Sequence, residues 1–106
     1  MSRRTPQPIP AETLEAVAAA LRVLAHPIRL RVVELLEQDD HTVGELAESL
    51  DLAPAACSQH LNLMRAHGLL AARRDGKTVY YRVSNPHALN VINCIRRNLD
   101  DNRKTS

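Results

Sequence analysis

The stretch HTVGELAESLDLAPAACSQHLNLMRAHGLL, residues 41–70, decides the fold. Thr42 is a good N-cap and Glu45, three residues later, completes a capping box, which predicts a short helix over Val43 to Leu50. Asp51-Leu52-Ala53 makes a brief turn. Pro54 suits the first position of a longer helix, which runs to about His67 before Gly68 stops it. Two helices a few residues apart, the second amphipathic, form a helix-turn-helix. On a helical wheel Cys57, Leu61 and Met64 share a side and are predicted to face the core. Ala55, Ala56, Gln59, Asn62 and Leu63 point the other way, with Ser58 and His60 at the boundary.

Downstream, the hydrophobic period changes from helical to alternating. Leu69 to Arg74 and Lys77 to Val83 read as strands, and the Asp75-Gly76 between them is a strong hairpin signal. Val79, Tyr81 and Val83 fall on one face, Thr78, Tyr80 and Arg82 on the other, so one tyrosine is expected in the core. Ser84 or Asn85 then caps a last helix, roughly His87 to Leu99, with Pro86 in its first turn. Upstream, Leu14, Val17, Ala18, Leu21 and Leu24 recur at helical steps as far as His26-Pro27, where Pro27 opens a second helix ending near Leu36. The predicted class is mainly α with a small β-hairpin, in the order α-α-α-α-β-β-α, the plan of a winged helix-turn-helix. Residues 1–10 are expected to be a flexible basic arm, 11–99 one winged helix-turn-helix domain, and 100–106 a flexible tail.

Composition narrows the function classes. A chain of 106 residues, 44% hydrophobic and 25% charged, is one small domain, and its stability would gain from a second copy. Two tyrosines, with no Phe or Trp, exclude the stacked aromatic platforms that bind single strands. The net charge of +2 is too small to identify a nucleic-acid partner by itself. No apolar run reaches the roughly 18 to 20 residues needed to span a bilayer, and MSRRTPQPIP has no apolar stretch for a signal peptide. With two cysteines and no CxxC spacing, reduced thiols and a cytoplasmic location are expected, and no membrane partner.

The outer face of the second helix-turn-helix helix carries the chemistry. Small residues, Ala56 and Ser58 among them, let a helix enter the major groove, and Gln59, His60 and Asn62 offer groups that pair with base edges. Gln59 can bond adenine in bidentate fashion; Ser58 and His60 can bind phosphate or a base edge. Leu63 completes this face. Arg73, Arg74 and Lys77 gather at the hairpin tip, where cations suit the DNA backbone or minor groove.

The strings LRVLAHPIRLRVVELL at 21–36, residues 41–70 and RRDGKTVYYRV at 73–83 together resemble the arsenic-repressor (ArsR/SmtB) family of winged-helix transcriptional repressors, over about residues 14 to 98. The resemblance implies a homodimer joined through its first and last helices. It also implies an imperfect palindrome in double-stranded DNA, with recognition helices about 34 Å apart, and an inducer that releases repression. The Leu14–Leu24 stripe and Leu89, Ile92, Ile95 and Leu99 are apolar surfaces that agree with such an interface.

The family's inducer sites are incompletely matched. Where soft-metal sensors have a cysteine pair, this chain has Thr42 and Gly44. At the positions of the last-helix zinc site it has Asn85, His87, Asn98 and Asp101, which leaves His87 and Asp101 as candidate ligands where a tight zinc site needs four donors, or three and water. No cofactor is assigned, and a metal or a thiol-reactive molecule is left open as the effector. Thiol sensors pair a cysteine on the second helix with one on the last; the second helix here offers Glu34. Cys57 reads as a small buried hydrophobe, while Cys94, with Asn93, Arg96 and Arg97 nearby, is a candidate thiol sensor.

Catalysis has little to stand on. Cys57 and His60 diverge around the wheel, with no acidic orienter or glycine-rich oxyanion loop. The alternative to a repressor is a winged-helix protein-interaction or architectural DNA-binding module without an inducer.

Overall fold

The computed structural model describes the backbone of residues 7–105 and the side chains of residues 7–99. The expected arm at 1–10 therefore lies mostly outside the described residues. The elements are α1 (Ala11–Leu24), α2 (Pro27–Leu36), β1 (His41–Thr42), α3 (Val43–Leu50), α4 (Pro54–Ala66), β2 (Leu70–Asp75), β3 (Thr78–Val83) and α5 (Pro86–Thr105). No helix among the described residues is long and apolar enough to cross a membrane.

Local chemistry explains most boundaries. At the α1–α2 corner His26 is extended, as the residue before a proline prefers, and its Nδ1 accepts the Ile28 N–H at 3.1 Å. The capping box forms in full: Glu45 N–H donates to Thr42 Oγ1 at 3.1 Å, and Thr42 N–H donates to Glu45 Oε1 at 2.9 Å. The Thr42 backbone amide, reinforced by the Thr42 hydroxyl and His41, holds the Glu45 carboxyl below its ordinary range. Asp51, left-handed at φ 55°, closes α3. Gly68, at φ 74°, lets Leu69 N–H reach back to the Met64 carbonyl at 2.9 Å, so α4 stops and β2 starts in the core. Asn85 rather than Ser84 caps α5, accepting from the His87 N–H at 2.8 Å. The Ser84 hydroxyl instead bonds the Gly68 carbonyl at 3.0 Å and closes the base of the hairpin.

Two features differ from the sequence expectation. The sheet has three strands, in the order β1-β3-β2 and antiparallel throughout, because His41 and Thr42 pair with Tyr81 and Tyr80. A two-residue strand is too short to show alternation, and Thr42 is also committed to capping α3. The last helix, expected to end near Leu99, continues to Thr105, since residues 100–105 contain neither glycine nor proline to stop it.

The core lies where the five helices meet the hairpin root. Leu24, Val32, Val33, Leu46, Cys57, Leu61, Met64 and Leu69 are fully buried, joined by Tyr81 from the sheet and by Ala88 and Ile92 from α5. Tyr81 is thus the core tyrosine. The stripes on α1 and α5 are only partly consumed. Ala20, Val23, Leu24 and Ile92 pack inside, while Leu14, Leu21, Ile95 and Leu99 stay 53%, 45%, 48% and 49% exposed. Arg96 ties α5 to α2 by reaching Glu37 at 2.5 Å and Glu34 at 3.6 Å, and these two carboxylates hold its guanidinium charged more firmly than usual.

Candidate nucleic-acid interface

Cys57, Leu61 and Met64 anchor α4 in the core and set the rotation of the helix, so its opposite face turns outward. Ala55, Gln59 and Asn62 are exposed on that face; Ala56 and Ser58 are half-buried beside it. Leu63, expected outward, is half-buried and packs against the core. Ala53 at the start of α4 makes no side-chain cap bond, and Pro54, the first helical residue, has no N–H to satisfy.

His60 is placed differently from the others. It leans against the α1–α2 corner, where its ring centroid lies 4.8 Å from that of His26, and its Nδ1 accepts from Arg29 Nε at 3.3 Å. Arg29 is in turn held by the Val23 carbonyl, 3.0 Å from Nη1. Partial burial, then the proximity of His26 and Arg29, lowers the His60 pKa from its ordinary value. Nothing in the sequence near Arg29 signals this contact, which depends on how α2 crosses α4.

The three wing cations are not equivalent. Arg73 lies over the Tyr80 ring, 4.9 Å from its centroid, and its Nη2 sits 3.6 Å from Asp40. Asp40 precedes β1, so the β1–β3 pairing brings the carboxylate to the hairpin. Arg74 and Lys77 are exposed and make no ion pair among the described residues. Arg82, exposed on the same sheet face as Arg73 and Tyr80, is a further cation that sequence reasoning passed over.

The candidate sensing residues are scattered. His87 and Cys94 line a cleft of about 260 Å³ between α1 and α5 with Val17, Ala20, Leu21, Asn90 and Val91. The side chain of Asp101 lies outside the described residues. Among the described residues no group of three or more His, Cys, Asp or Glu side chains is placed to hold a metal ion. Glu34 pairs with Arg31 and Arg96. Cys94 is exposed, with Asn98 Nδ2 donating towards its Sγ at 3.8 Å, while Arg96 points away to the α2 carboxylates. Cys57 is buried, which raises its thiol pKa, and it diverges from His60.

A tight two-helix corner, an exposed amide-bearing helix and a cationic hairpin beside it define a winged helix-turn-helix. A helix-turn-helix domain family matches residues 24–73, and the nodulation protein NolR of Rhizobium meliloti is 36% identical over 94 residues, covering 86% of this chain and 77% of NolR. The transcriptional repressor SmtB of Mycobacterium tuberculosis is 34% identical over 87 residues, 82% of this chain and 64% of SmtB. The chain belongs to the ArsR/SmtB family of winged helix-turn-helix transcriptional repressors. A solved structure of Mb0332 from Mycobacterium bovis, described as a homodimeric winged helix-turn-helix DNA-binding domain of a possible ArsR-family regulator, superposes with TM-score 0.77 at 26% identity, covering 91% of this chain and 89% of that one.

Proposed function

We propose that the protein is a homodimeric transcriptional repressor that binds an imperfect palindrome in double-stranded DNA. In this reading α4 enters the major groove, the hairpin tip rests on the backbone or minor groove, and residues 11–99 form the DNA-binding and dimerisation unit. The observation that carries it is the pairing of an exposed Ala55-Gln59-Asn62 face with the cations Arg74 and Lys77, which have no ion-pair partner among the described residues, on the adjacent hairpin. Gln59 and Asn62 read base edges; Ser58, the N-terminus of α4, Arg74 and Lys77 bind phosphates. Ala56 gives the helix clearance in the groove, while Leu63 acts mainly by seating α4. The exposed Leu14, Leu21, Ile95 and Leu99 supply the dimer surface.

Selection of duplexes from a random pool tests this reading. The expected product is a palindrome with half-sites one helical turn apart, bound with a strong preference over unrelated DNA and with affinity falling linearly in log salt. Weak binding without a sequence preference would instead indicate a protein-contact module.

A further inference from the structure

The contact between α2 and His60 bears on which hydrogen bond the recognition helix can make. A guanidinium has donors only, so when Arg29 Nε points at His60 Nδ1 across 3.3 Å, that nitrogen must present its lone pair. The neutral ring then carries its proton on Nε2. Arg29 cannot swing away freely, because its Nη1 is held by the Val23 carbonyl at 3.0 Å, at the end of α1 where carbonyls lack helical partners. His26 closes the other side. Its own Nδ1 accepts from Ile28 N–H, and its ring is tilted 60° to that of His60.

We propose that Arg29 is a positioning residue that fixes His60 in the Nε2–H tautomer, so that the recognition helix offers the duplex a neutral donor at this position. The proposal rests on the DNA-binding reading above. The charged and titratable groups facing His60 are Arg29 from α2 and His26 from the α1–α2 corner, and no carboxylate pairs with it among the described residues. Burial first, then both neighbours, lower the His60 pKa and so favour the uncharged ring. A neutral Nε2–H matches an acceptor, a phosphate oxygen or the N7 or O6 edge of guanine. It adds selectivity for position without adding a counterion-release contribution.

Nitrogen-15 NMR of the free 106-residue chain near neutral pH tests the tautomer directly. The expected spectrum shows His60 Nδ1 unprotonated and Nε2 protonated, and in Arg29→Ala a mixture of tautomers with titration moved back towards the ordinary value. In DNA binding, His60→Gln places an amide near the Nε2 position, whereas His60→Asn mimics the Nδ1 end. His60→Gln is expected to stay within about threefold of wild type, while His60→Asn and His60→Ala lose about tenfold or more, because two such bonds vanish per dimer. Replacing single phosphates by methylphosphonates, or guanine by 7-deazaguanine, separates the two acceptor sources. Protonated Nδ1 in the wild-type spectrum, or wild-type affinity in His60→Ala, overturns the proposal. If Gln59→Ala and Arg74→Ala also bind like wild type, the DNA-binding reading itself fails.

Discussion

Removing the wing cations one at a time should reveal their inequality in the salt dependence of DNA binding. Each phosphate neutralised by a side chain contributes about −0.9 to the slope of log K against log salt, and a two-fold dimer loses two contacts per substitution, so Arg74→Ala or Lys77→Ala should flatten the slope by about 1.8. Between about 50 and about 200 mM salt that difference amounts to roughly one log unit of K, on the order of tenfold. Arg73→Ala should do less, because Asp40, 3.6 Å away, already offsets part of its charge and the guanidinium lies over the Tyr80 ring. Asp40→Asn should steepen the slope by freeing Arg73. None of these changes should unfold the protein, since an exposed ion pair is worth at most about 1 kcal/mol. Fluorescence anisotropy with a labelled operator duplex at several salt concentrations reads the slopes, and circular dichroism checks the fold. Equal flattening by Arg73→Ala and Arg74→Ala, or an unchanged slope in Arg74→Ala and Lys77→Ala, would refute the assignment of available and committed cations.

Gln59→Ala should cost roughly 1 to 3 kcal/mol at the cognate site and relax discrimination at one base pair of each half-site, read by competition with mutated duplexes. Thr42→Ala removes the Oγ1 acceptor of the α3 capping box and should cost about 1 kcal/mol in urea unfolding. Glutamate in place of Leu21 or Ile95, 45% and 48% exposed, should leave the fold intact and convert a sedimenting dimer to monomer; an unchanged dimer would move the interface elsewhere. Stability should also fall on mild acidification. The His60 pKa is depressed below 6.5 in the folded chain, so the unfolded chain binds the proton better, and stability is full above 6.5 and declines as pH drops below it. His60→Gln should remove that part of the decline when urea midpoints are compared at about pH 7.5 and about pH 5.5.

Those features of the fold that depend on neighbours in the chain are legible in the amino-acid sequence. The capping box of Thr42 and Glu45, the proline at the start of α4, the left-handed glycines at 68 and 76 and the alternation around Tyr81 are local statements, and each appears as expected. So does the core side of α4, because Cys57, Leu61 and Met64 can share a face only one way on a helix. Contacts between elements are not legible in this way. His26 is rarely a helix cap, and nothing local marks Arg29 as a partner for a histidine on another helix. The β1 pairing leaves no periodic trace in two residues, yet it delivers Asp40 to the wing.

The cations show why composition is a poor guide to the interface. Arg31 and Arg96 are committed to Glu34, Arg96 also to Glu37, and Arg73 to Asp40; of these pairs only Arg31–Glu34 spans a helical step. Availability to a phosphate is therefore a property of the fold, decided by which carboxylate the packing brings within reach. Arg73 and Arg74 are adjacent in sequence and opposite in this respect, since successive strand residues face opposite sides of the sheet and only one of the two sides meets Asp40 and Tyr80. A net charge of +2 averages over this distinction. At the hairpin tip Arg74 and Lys77, exposed and with no carboxylate within ion-pair distance among the described residues, outnumber the one acid there, Asp75.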